Sequence, residues 1–296
     1  MKHRSFVTKT ITLIITGIML IALTAAGTGC RSRRIDGTDG DLQEVGRMID
    51  TPRDPSEKLR VLLIGNSCTY CNDLNQSNGI FARIAKNAGY EGVRVNSIYS
   101  GGYHLRQFLD SSDIFGKQVL GALGSERKYD IVVIQEQSAT PIADPEEFYD
   151  SCRRFKALVD KNGGELWLYA TWGYKDGCPD LPAFGSSSAD MEMKLRSAYA
   201  SIAAELGIGV VCAGAAFTES TAKNPSIDLY DTDRKHPSPE GSYLVAWTMF
   251  GTIFGVDPAT LSYDGTLSGS DASKLRAVAS SIVTKGVNAR QLLTGN

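Results

Sequence analysis

The chain has 296 residues, of which 42% are hydrophobic and 22% are charged, and its formal net charge at pH 7 is −2. This length and composition are ordinary for a globular protein with one large core, so we expect a single folded domain. The first 29 residues hold three of the 31 basic groups and none of the 33 acidic ones, which leaves the remainder a net charge of −5. An acidic body argues against a nucleic-acid partner.

The N-terminal residues 1–29 predict a secretory signal peptide. Basic residues precede an apolar stretch from Ile11 to Ala26, which is too short for a typical membrane span. The following Gly27-Thr28-Gly29-Cys30 resembles a bacterial lipobox, except that Gly27 stands where that pattern usually has Leu. This resemblance implies lipidation of Cys30 and a membrane-anchored lipoprotein of the bacterial periplasm or cell surface. Ordinary cleavage near Ala26 and an uncleaved anchor stay open, and all three alternatives predict export.

Residues 30–58 are rich in Arg, Asp, Gly and Pro without sustained periodicity, which predicts a flexible tether. The folded domain is expected at 59–296. There, short β-branched runs alternate with amphipathic stretches, the pattern of parallel βαβ units. In chain order the predicted elements are strand 60–64, helix 78–88, strand 93–99, helix 105–123, strand 131–134, helix 145–161, strand 165–171, helix 189–206, strand 209–213, a helix from 239, and helix 271–284. This order predicts a doubly wound α/β fold with a central parallel sheet of five strands.

Polar clusters follow four of the predicted strands. In doubly wound sheets the reacting groups lie at the carboxyl ends of strands, so these clusters are expected along one edge. They are Asn66-Ser67, Gly101-Gly102, Gln135-Glu136-Gln137 and Trp172.

A serine, a histidine and an aspartate are available for nucleophilic catalysis. A serine hydroxyl needs a base to take its proton and a carboxylate to orient that base. Ser67 follows the first strand, and the chain has three histidines, of which His3 lies in the predicted signal peptide. His104 and His236 remain, and only His236 has an aspartate, Asp233, at a short spacing that can orient its ring.

The cysteines are predicted to be core residues or to form a local disulfide. Cys68-Thr69-Tyr70-Cys71 has the spacing of a redox motif, but it directly follows Ser67, where the chain is expected to turn into a helix. No second pair of cysteines exists to complete a four-ligand metal site.

Four short blocks together resemble the SGNH (GDSL-like) hydrolase superfamily. The first is Gly65-Asn66-Ser67, with Asn in place of the usual Asp; the second is Gly102, or Gly101 if the alignment slips by one; and the fourth is Asp233-Arg234-Lys235-His236. The resemblance implies a flavodoxin-like three-layer α/β/α fold and hydrolysis of acyl esters without a metal or organic cofactor. It also implies that Ser67 is the nucleophile and that the backbone amides of Ser67 and Gly102 contribute to an oxyanion hole.

The third block departs from the common family pattern, which has Gly-x-Asn-Asp. Here Gln135-Glu136-Gln137-Ser138 is similar to the glutamine-containing block of carbohydrate and sialate O-acetylesterase relatives. We expect Gln137 to supply the side-chain amide of the oxyanion hole. Gln135 stays an alternative, because side chains two apart on an extended segment face the same way, whereas Glu136 is expected to face the opposite way.

The expected function is removal of short acyl groups, acetyl above all, from a carbohydrate or similar ester by Ser67, His236 and Asp233. Trp172, with Tyr174, is a candidate stacking platform for a sugar. A lysophospholipase or thioesterase with the same triad is an alternative, and so is a surface glycan-binding lipoprotein without turnover.

Overall fold

A computed structural model describes residues 44–124 and 128–288; the predicted signal peptide and Cys30 lie outside them. In chain order the elements are β1 (Glu44–Val45), β2 (Arg60–Gly65), α1 (Ser67–Tyr70), α2 (Ile80–Asn87), β3 (Arg94–Tyr99), α3 (Ile114–Leu123), β4 (Ile131–Ile134), α4 (Thr140–Ala143), α5 (Pro145–Asn162), β5 (Glu165–Ala170), α6 (Ser188–Leu206), β6 (Gly209–Cys212), α7 (Ala213–Lys223), α8 (Pro239–Phe254), α9 (Gly269–Lys285) and β7 (Val287–Asn288). Short 3-10 turns lie at Cys71–Asp73, Gln107–Leu109, Leu181–Ala183 and Pro258–Thr260. Within the described ranges, no helix has both the length and the apolar character needed to cross a bilayer.

The central sheet has five parallel strands in the order β3-β2-β4-β5-β6. β4 is buried at all four residues, because β2 and β5 flank it and helices cover both faces of the sheet. From β2 the chain crosses to β3 at one edge of the sheet, and from β3 it returns past β2 to β4, β5 and β6. Because each crossover is right-handed, this reversal of direction puts helices on both faces of the sheet. The predicted doubly wound α/β fold is confirmed.

One predicted helix is divided in the structure. The stretch 105–123 forms a 3-10 turn at Gln107–Leu109 and, after a break, α3. The break comes from Asp113, whose carboxylate caps α3 by accepting hydrogen bonds from the amides of Phe115 at 2.7 Å and Gly116 at 3.1 Å. The apolar periodicity continues across this cap, which explains why the sequence predicts one helix.

The helix α8 lies in the core and fixes the end of the loop before it. Every residue from Gly241 to Phe254 is buried, as expected of a helix that is apolar on all sides. Ser238 caps its first turn by accepting a hydrogen bond from the amide of Gly241 at 3.0 Å. The segment containing Asp233 and His236 therefore ends on a rigid element.

The described part of the predicted tether is packed on the domain, which corrects the expected boundary at residue 59. β1 pairs antiparallel with β7. Arg53 is buried, and its guanidinium donates to the carbonyl of Ile253 at 2.8 Å and to the carboxylate of Glu165 at 2.5 Å. Because charge-assisted hydrogen bonds of this kind hold a segment in place, the folded body includes residues 44–58.

Candidate active site

The turn after β2 presents Ser67 at the carboxyl edge of the sheet. A side chain at Gly65 would lie 2.7 Å from Gln135 Oε1, so the turn requires glycine there. Asn66 caps α1, because its Oδ1 accepts from the amide of Cys68 at 3.3 Å while its Nδ2 donates to the carbonyl of Tyr103 at 3.0 Å. Ser67 is consequently the first residue of a helix whose start is fixed by the two hydrogen bonds of Asn66.

Ser67, His236 and Asp233 lie together, although the serine and the histidine are 169 residues apart in sequence. Ser67 Oγ is 2.7 Å from His236 Nε2, and the other ring nitrogen, Nδ1, is hydrogen-bonded to Asp233 Oδ2. The His236 side chain is 37% exposed, so water and a small ester can reach it. This is the arrangement that a serine nucleophile with a general base requires.

Asp233 is ionised at neutral pH. Burial opposes its ionisation, but hydrogen bonds from the backbone amides of Lys235 and His236, each 2.9 Å from Oδ1, outweigh that effect and lower the pKa of Asp233 to about 2. A carboxylate at Nδ1 favours the tautomer that carries its proton there. His236 Nε2 is then left with a lone pair toward the Ser67 hydroxyl.

The loop between Asp233 and His236 includes a residue in the left-handed region, Arg234 with φ 63°. This conformation costs a non-glycine residue energy and persists where neighbours hold it. The Arg234 amide donates to Asp231 O at 2.9 Å, its carbonyl accepts from Lys175 N at 2.9 Å, and its guanidinium donates to Gly177 O. The connection after β5 therefore fixes the spacing of the aspartate and the histidine.

Two backbone amides at this edge are available to an oxyanion. Among the described residues, neither Ser67 N nor Gly102 N has a hydrogen-bond acceptor. Gly102 is exposed and has a φ of +72°, a conformation that favours glycine, whereas Gly101 does not share it and would bring a side chain within 3.2 Å of Tyr70 OH. The geometry favours Gly102 as the glycine of this block.

The side-chain amide of Gln135 is buried and hydrogen-bonded to neighbouring parts of the protein. Its Oε1 accepts from the amide of Asn66 at 3.0 Å and from Thr69 Oγ1 at 2.8 Å, and its Nε2 donates to the carbonyl of Glu136. The residue is 1% exposed. Gln135 therefore ties the end of β4 to the turn that carries Ser67, and its burial keeps its amide away from a substrate.

Gln137, by contrast, keeps its amide nitrogen free. Its Oε1 accepts from the backbone amides of Ala139 at 2.9 Å and Thr140 at 3.2 Å, which orients the amide group. Within the described part of the chain, Nε2 has no hydrogen-bond partner, and the side chain is half-buried. The oxygen is held as the acceptor, so the two N–H donors face the other way.

No protein-family model matches this chain, and no curated protein matches it either. A solved structure from Slackia heliotrinireducens, assigned to the SGNH hydrolases, is 30% identical and covers 66% of this chain and 99% of its own length, with a TM-score of 0.58. The chain belongs to the SGNH hydrolases.

Two further solved structures agree with this SGNH hydrolase in fold. A Bacteroides uniformis protein has a TM-score of 0.59 at 16% identity and covers 79% of this chain and 99% of its own. A Parabacteroides merdae protein named as a GDSL-like lipase has a TM-score of 0.51 at 14% identity and covers 68% of this chain and 98% of its own. As a member of this superfamily, the protein is an ester hydrolase.

Trp172 does not lie open to a sugar in this SGNH hydrolase, which corrects its expected role. The side chain is 2% exposed, and its ring stacks on Phe217 with centroids 4.1 Å apart and planes 4° apart. Its Nε1 donates to the carbonyl of Lys235 at 2.9 Å, so Trp172 supports the loop of His236. Tyr174 is buried as well, at 6% exposure. The aromatic residues that follow a strand here are core residues.

His104 lies beside different partners from those of His236. Its Nδ1 is 3.0 Å from Thr140 Oγ1 and 3.3 Å from Glu147 Oε1. Thr140 Oγ1 is also 3.3 Å from Gln137 Oε1, so His104 borders the segment that holds the Gln137 amide. The sequence analysis missed this environment, because Glu147 and Thr140 are not close to His104 in sequence.

The cysteines in the described ranges are all free thiols. Cys68 is buried beside Ser67, and burial raises the pKa of its thiol to about 12. A thiol that stays protonated is a poor nucleophile, so Ser67 is the better candidate at this turn. Within residues 44–124 and 128–288, no group of three or more His, Cys, Asp and Glu side chains is placed to hold a metal ion.

Proposed function

We propose that this SGNH hydrolase is a serine esterase that removes short acyl groups, acetyl above all, from a carbohydrate or a similar ester. The observation that carries the proposal is the continuous hydrogen-bonded series from Ser67 Oγ through the ring of His236 to Asp233. Each group in it has the protonation state that its role needs, because Asp233 is ionised and can hold the His236 proton at Nδ1.

In the acylation step, Ser67 Oγ attacks the carbonyl carbon of the ester and transfers its proton to His236 Nε2. The carbonyl π electrons move to the oxygen, which gives a tetrahedral oxyanion. When that intermediate collapses, the bond to the alcohol breaks, and His236 returns the proton to the leaving oxygen. Asp233 stays ionised and stabilises the imidazolium.

In the deacylation step, a water molecule takes the place of the alcohol. His236 Nε2 accepts a proton from this water while the water oxygen attacks the acyl-enzyme carbonyl. Collapse of the second intermediate breaks the bond to Ser67 Oγ, which regains its proton from His236. The products are the free acid and the deacylated alcohol.

The oxyanion is stabilised by three donors: the backbone amides of Ser67 and Gly102 and the Nε2 of Gln137. The free donors in this region support that assignment, because the competing amide of Gln135 is buried and hydrogen-bonded to the protein. Such donors are each worth about 3 kcal/mol in the transition state, since they bind charge that develops only there.

The preference for short acyl groups is supported by the described surface. The large hydrophobic side chains exposed on it are Ile114 and Met193, which lie on different helices. A long acyl chain would need a continuous apolar surface. The glutamine-containing third block, similar to that of carbohydrate O-acetylesterases, supports a carbohydrate as the alcohol.

The test compares Ser67→Ala with Ser138→Ala, a serine at the same edge whose hydroxyl contacts the Cys68 thiol at 3.6 Å. With 4-nitrophenyl acetate, Ser67→Ala should lose all measurable turnover, while Ser138→Ala keeps the wild-type rate within about threefold. A fluorophosphonate probe should label the wild type and Ser138→Ala but not Ser67→Ala. Acetate release by a folded Ser67→Ala protein would exclude the mechanism.

Substrate class is tested separately with a series of model esters and with acetylated oligosaccharides. The proposal expects kcat/KM to fall steadily from acetyl to octanoyl esters and acetate to be released from the oligosaccharides. A preference for octanoyl esters would instead support a lysophospholipase or thioesterase. Binding of the deacetylated glycan without any turnover would support the glycan-binding alternative.

We further propose that the protein is exported and anchored to the membrane through a lipidated Cys30. The support is the lipobox-like Gly27-Thr28-Gly29-Cys30 after an apolar stretch. Cells fed labelled palmitate should label the wild type but not Cys30→Ser, which should also leave the membrane fraction. Equal labelling of the two proteins would exclude this anchor.

A further inference from the structure

Glu136 is a buried carboxylate close to the proposed oxyanion hole. It lies between Gln135 and Gln137 and faces away from both, as the alternation of an extended segment predicts. The side chain is completely buried, with 0% exposure. A carboxylate is seldom buried to this extent without a partner that needs it.

The Glu136 carboxylate joins the two segments that carry the proposed oxyanion-hole donors. Oε1 accepts from the backbone amide of Gln137 at 2.6 Å and from that of Leu105 at 3.1 Å, and Oε2 is 3.3 Å from the same Leu105 amide. Leu105 lies three residues after Gly102. One buried group therefore sets the distance between the Gly102 turn and the Gln137 turn.

An ionised carboxylate suits this position better than a neutral group of the same shape. Both of its oxygens accept hydrogen bonds, so it can satisfy two converging N–H groups. A protonated carboxyl, or the amide of a glutamine, would direct a donor at one of those N–H groups and open the contact. This position therefore requires a side chain that only accepts hydrogen bonds, a requirement that packing alone would not impose.

The pKa of Glu136 depends on its burial and on the charged and titratable groups that face it. Burial raises the pKa of Glu136 to about 7, although the amides of Gln137 and Leu105 act in the opposite direction. The groups that face it are His104, with Nδ1 at 3.9 Å, Arg106, Glu147, Cys152 and Tyr199. The pKa of Glu136 therefore lies near neutrality, above that of an ordinary glutamate.

We propose that Glu136 is a positioning residue that holds the Gly102 amide and the Gln137 side chain at the separation the oxyanion needs. It touches neither the substrate nor Ser67 and acts through the backbone amides of Leu105 and Gln137. This inference rests on the proposed esterase function, because the oxyanion hole has a role only if Ser67 is acylated.

The test uses Glu136→Gln and a matched control, Glu192→Gln. Glu192 is also a buried carboxylate, with 2% exposure, and burial raises its pKa to about 7, but its partner is Arg196 at 3.0 Å on the same helix. Both substitutions replace a buried carboxylate with an isosteric amide. A loss seen only at residue 136 therefore belongs to the position and not to the loss of a buried charge.

At pH 8.5 with 4-nitrophenyl acetate, Glu136→Gln should lower kcat by about thirtyfold and leave KM within about twofold, because the contact matters in the transition state. Glu192→Gln should keep kcat within about twofold. Rates are compared per serine labelled by a fluorophosphonate, so that unfolded protein does not count. Wild-type kcat in a folded Glu136→Gln protein would overturn the inference.

The pH dependence separates positioning from packing. At pH 5.5 the wild-type Glu136 is protonated and resembles glutamine, so the wild-type to Glu136→Gln ratio of kcat should shrink to about threefold. Effects of pH on the groups that both proteins share cancel in this ratio. A ratio that stays the same from pH 5.5 to 8.5 would show a packing defect and overturn the inference.

If Glu136→Gln fails to fold, Glu136→Asp replaces it. Aspartate keeps the charge but is one methylene shorter and cannot reach both amides, so kcat should fall about tenfold with KM unchanged. Full activity of Glu136→Asp would overturn the inference. The Ser67→Ala control distinguishes the two proposals: if that variant retains hydrolysis, the esterase mechanism fails, and if it is inactive while Glu136→Gln is fully active, only this inference fails.

Discussion

His236 and His104 both lie at the carboxyl edge of the sheet, each with a carboxylate within hydrogen-bond distance of Nδ1. For His236 the carboxylate is Asp233, and the opposite nitrogen is 2.7 Å from Ser67 Oγ. For His104 the carboxylate is Glu147 at 3.3 Å, and the hydroxyl beside it, that of Thr140, contacts the same nitrogen, Nδ1. Both places therefore have a histidine and a nearby acid. They differ in that the hydroxyl lies at Nε2 of His236 but at Nδ1 of His104.

A second carboxylate near His104, that of Glu136, differs from Asp233 in charge state. Hydrogen bonds from backbone amides overcome the effect of burial and lower the pKa of Asp233 to about 2. Burial raises the pKa of Glu136, 3.9 Å from His104, to about 7. The region around His236 has a permanent negative charge suited to stabilising an imidazolium, whereas the region around His104 contains a group that titrates near neutrality. This difference supports the proposed catalytic role of the region around His236 and a supporting role for the region around His104.

The largest expected effect comes from replacing each histidine with alanine. His236→Ala should lose as much activity as Ser67→Ala, at least about ten-thousandfold in kcat, because members of a triad act as a unit. His104→Ala should keep activity within about tenfold. Steady-state hydrolysis of 4-nitrophenyl acetate measures both, and a larger loss in His104→Ala would reassign the base.

A second test changes the acid beside each histidine. Asp233→Asn should lower kcat by about a thousandfold or more, because the amide no longer favours the tautomer with the proton on Nδ1. Glu147→Gln, the matched change beside His104, should alter kcat by less than about threefold. The rates are measured at pH 8. Similar losses in the two variants would remove the distinction drawn between the two histidines.

The next effect concerns the glutamines. Gln137→Ala should lower kcat about a hundredfold with little change in KM and in melting temperature, because its Nε2 is free for the oxyanion. Gln135→Ala should cost less kcat but should lower stability by about 1–3 kcal/mol, since it leaves the buried amide of Asn66 without its acceptor. Urea unfolding and steady-state kinetics on both variants measure this. Inverted results would move the oxyanion-hole assignment to Gln135.

The smallest effect is on stability as a function of pH. Burial raises the pKa values of Glu136 and Glu192 from 4.5, the ordinary value of a glutamate, to about 7, so the native state binds more protons than the unfolded state between those values. The free energy of unfolding should therefore fall as pH rises from about 4.5 to 7. The contribution of Asp233 has the opposite sign. Its lowered pKa stabilises the protein above pH 3.8, the ordinary pKa of an aspartate, and that contribution is lost as pH falls toward about 2.

Glu192→Gln isolates part of this dependence. Without one of the two titrating carboxyls, the variant should show a shallower fall in unfolding free energy between pH 5 and pH 7.5 than the wild type, as measured by urea titration at each pH. An unchanged slope would mean that Glu192 does not titrate in this window. The result also provides the stability baseline for Glu136→Gln.

Much of the fold was predictable because it depends on local patterns. The fully apolar run Ile131–Ile134 predicts a strand buried on both faces, and the structure has it at the centre of the sheet. The helix predicted at 105–123 was only partly right, because apolar spacing does not reveal that Asp113 starts a new helix. The tether predicted to reach residue 58 was too long, since the partner of Arg53 is Glu165, 112 residues away.

The sequence by itself determined the alternation of strands and helices and the candidate residues Ser67, Asp233 and His236, because periodicity reports burial and strand ends collect polar groups. Tertiary structure decided what each buried polar group binds. It placed Trp172 in the core under the His236 loop and left Gln137 with a free amide. It also brought the Glu136 carboxylate, which alternation points away from the substrate, onto the backbone of Leu105. The physical reason is that burial depends on the local pattern of apolar residues, whereas a hydrogen bond needs a partner that only the folded chain brings within 3 Å or so.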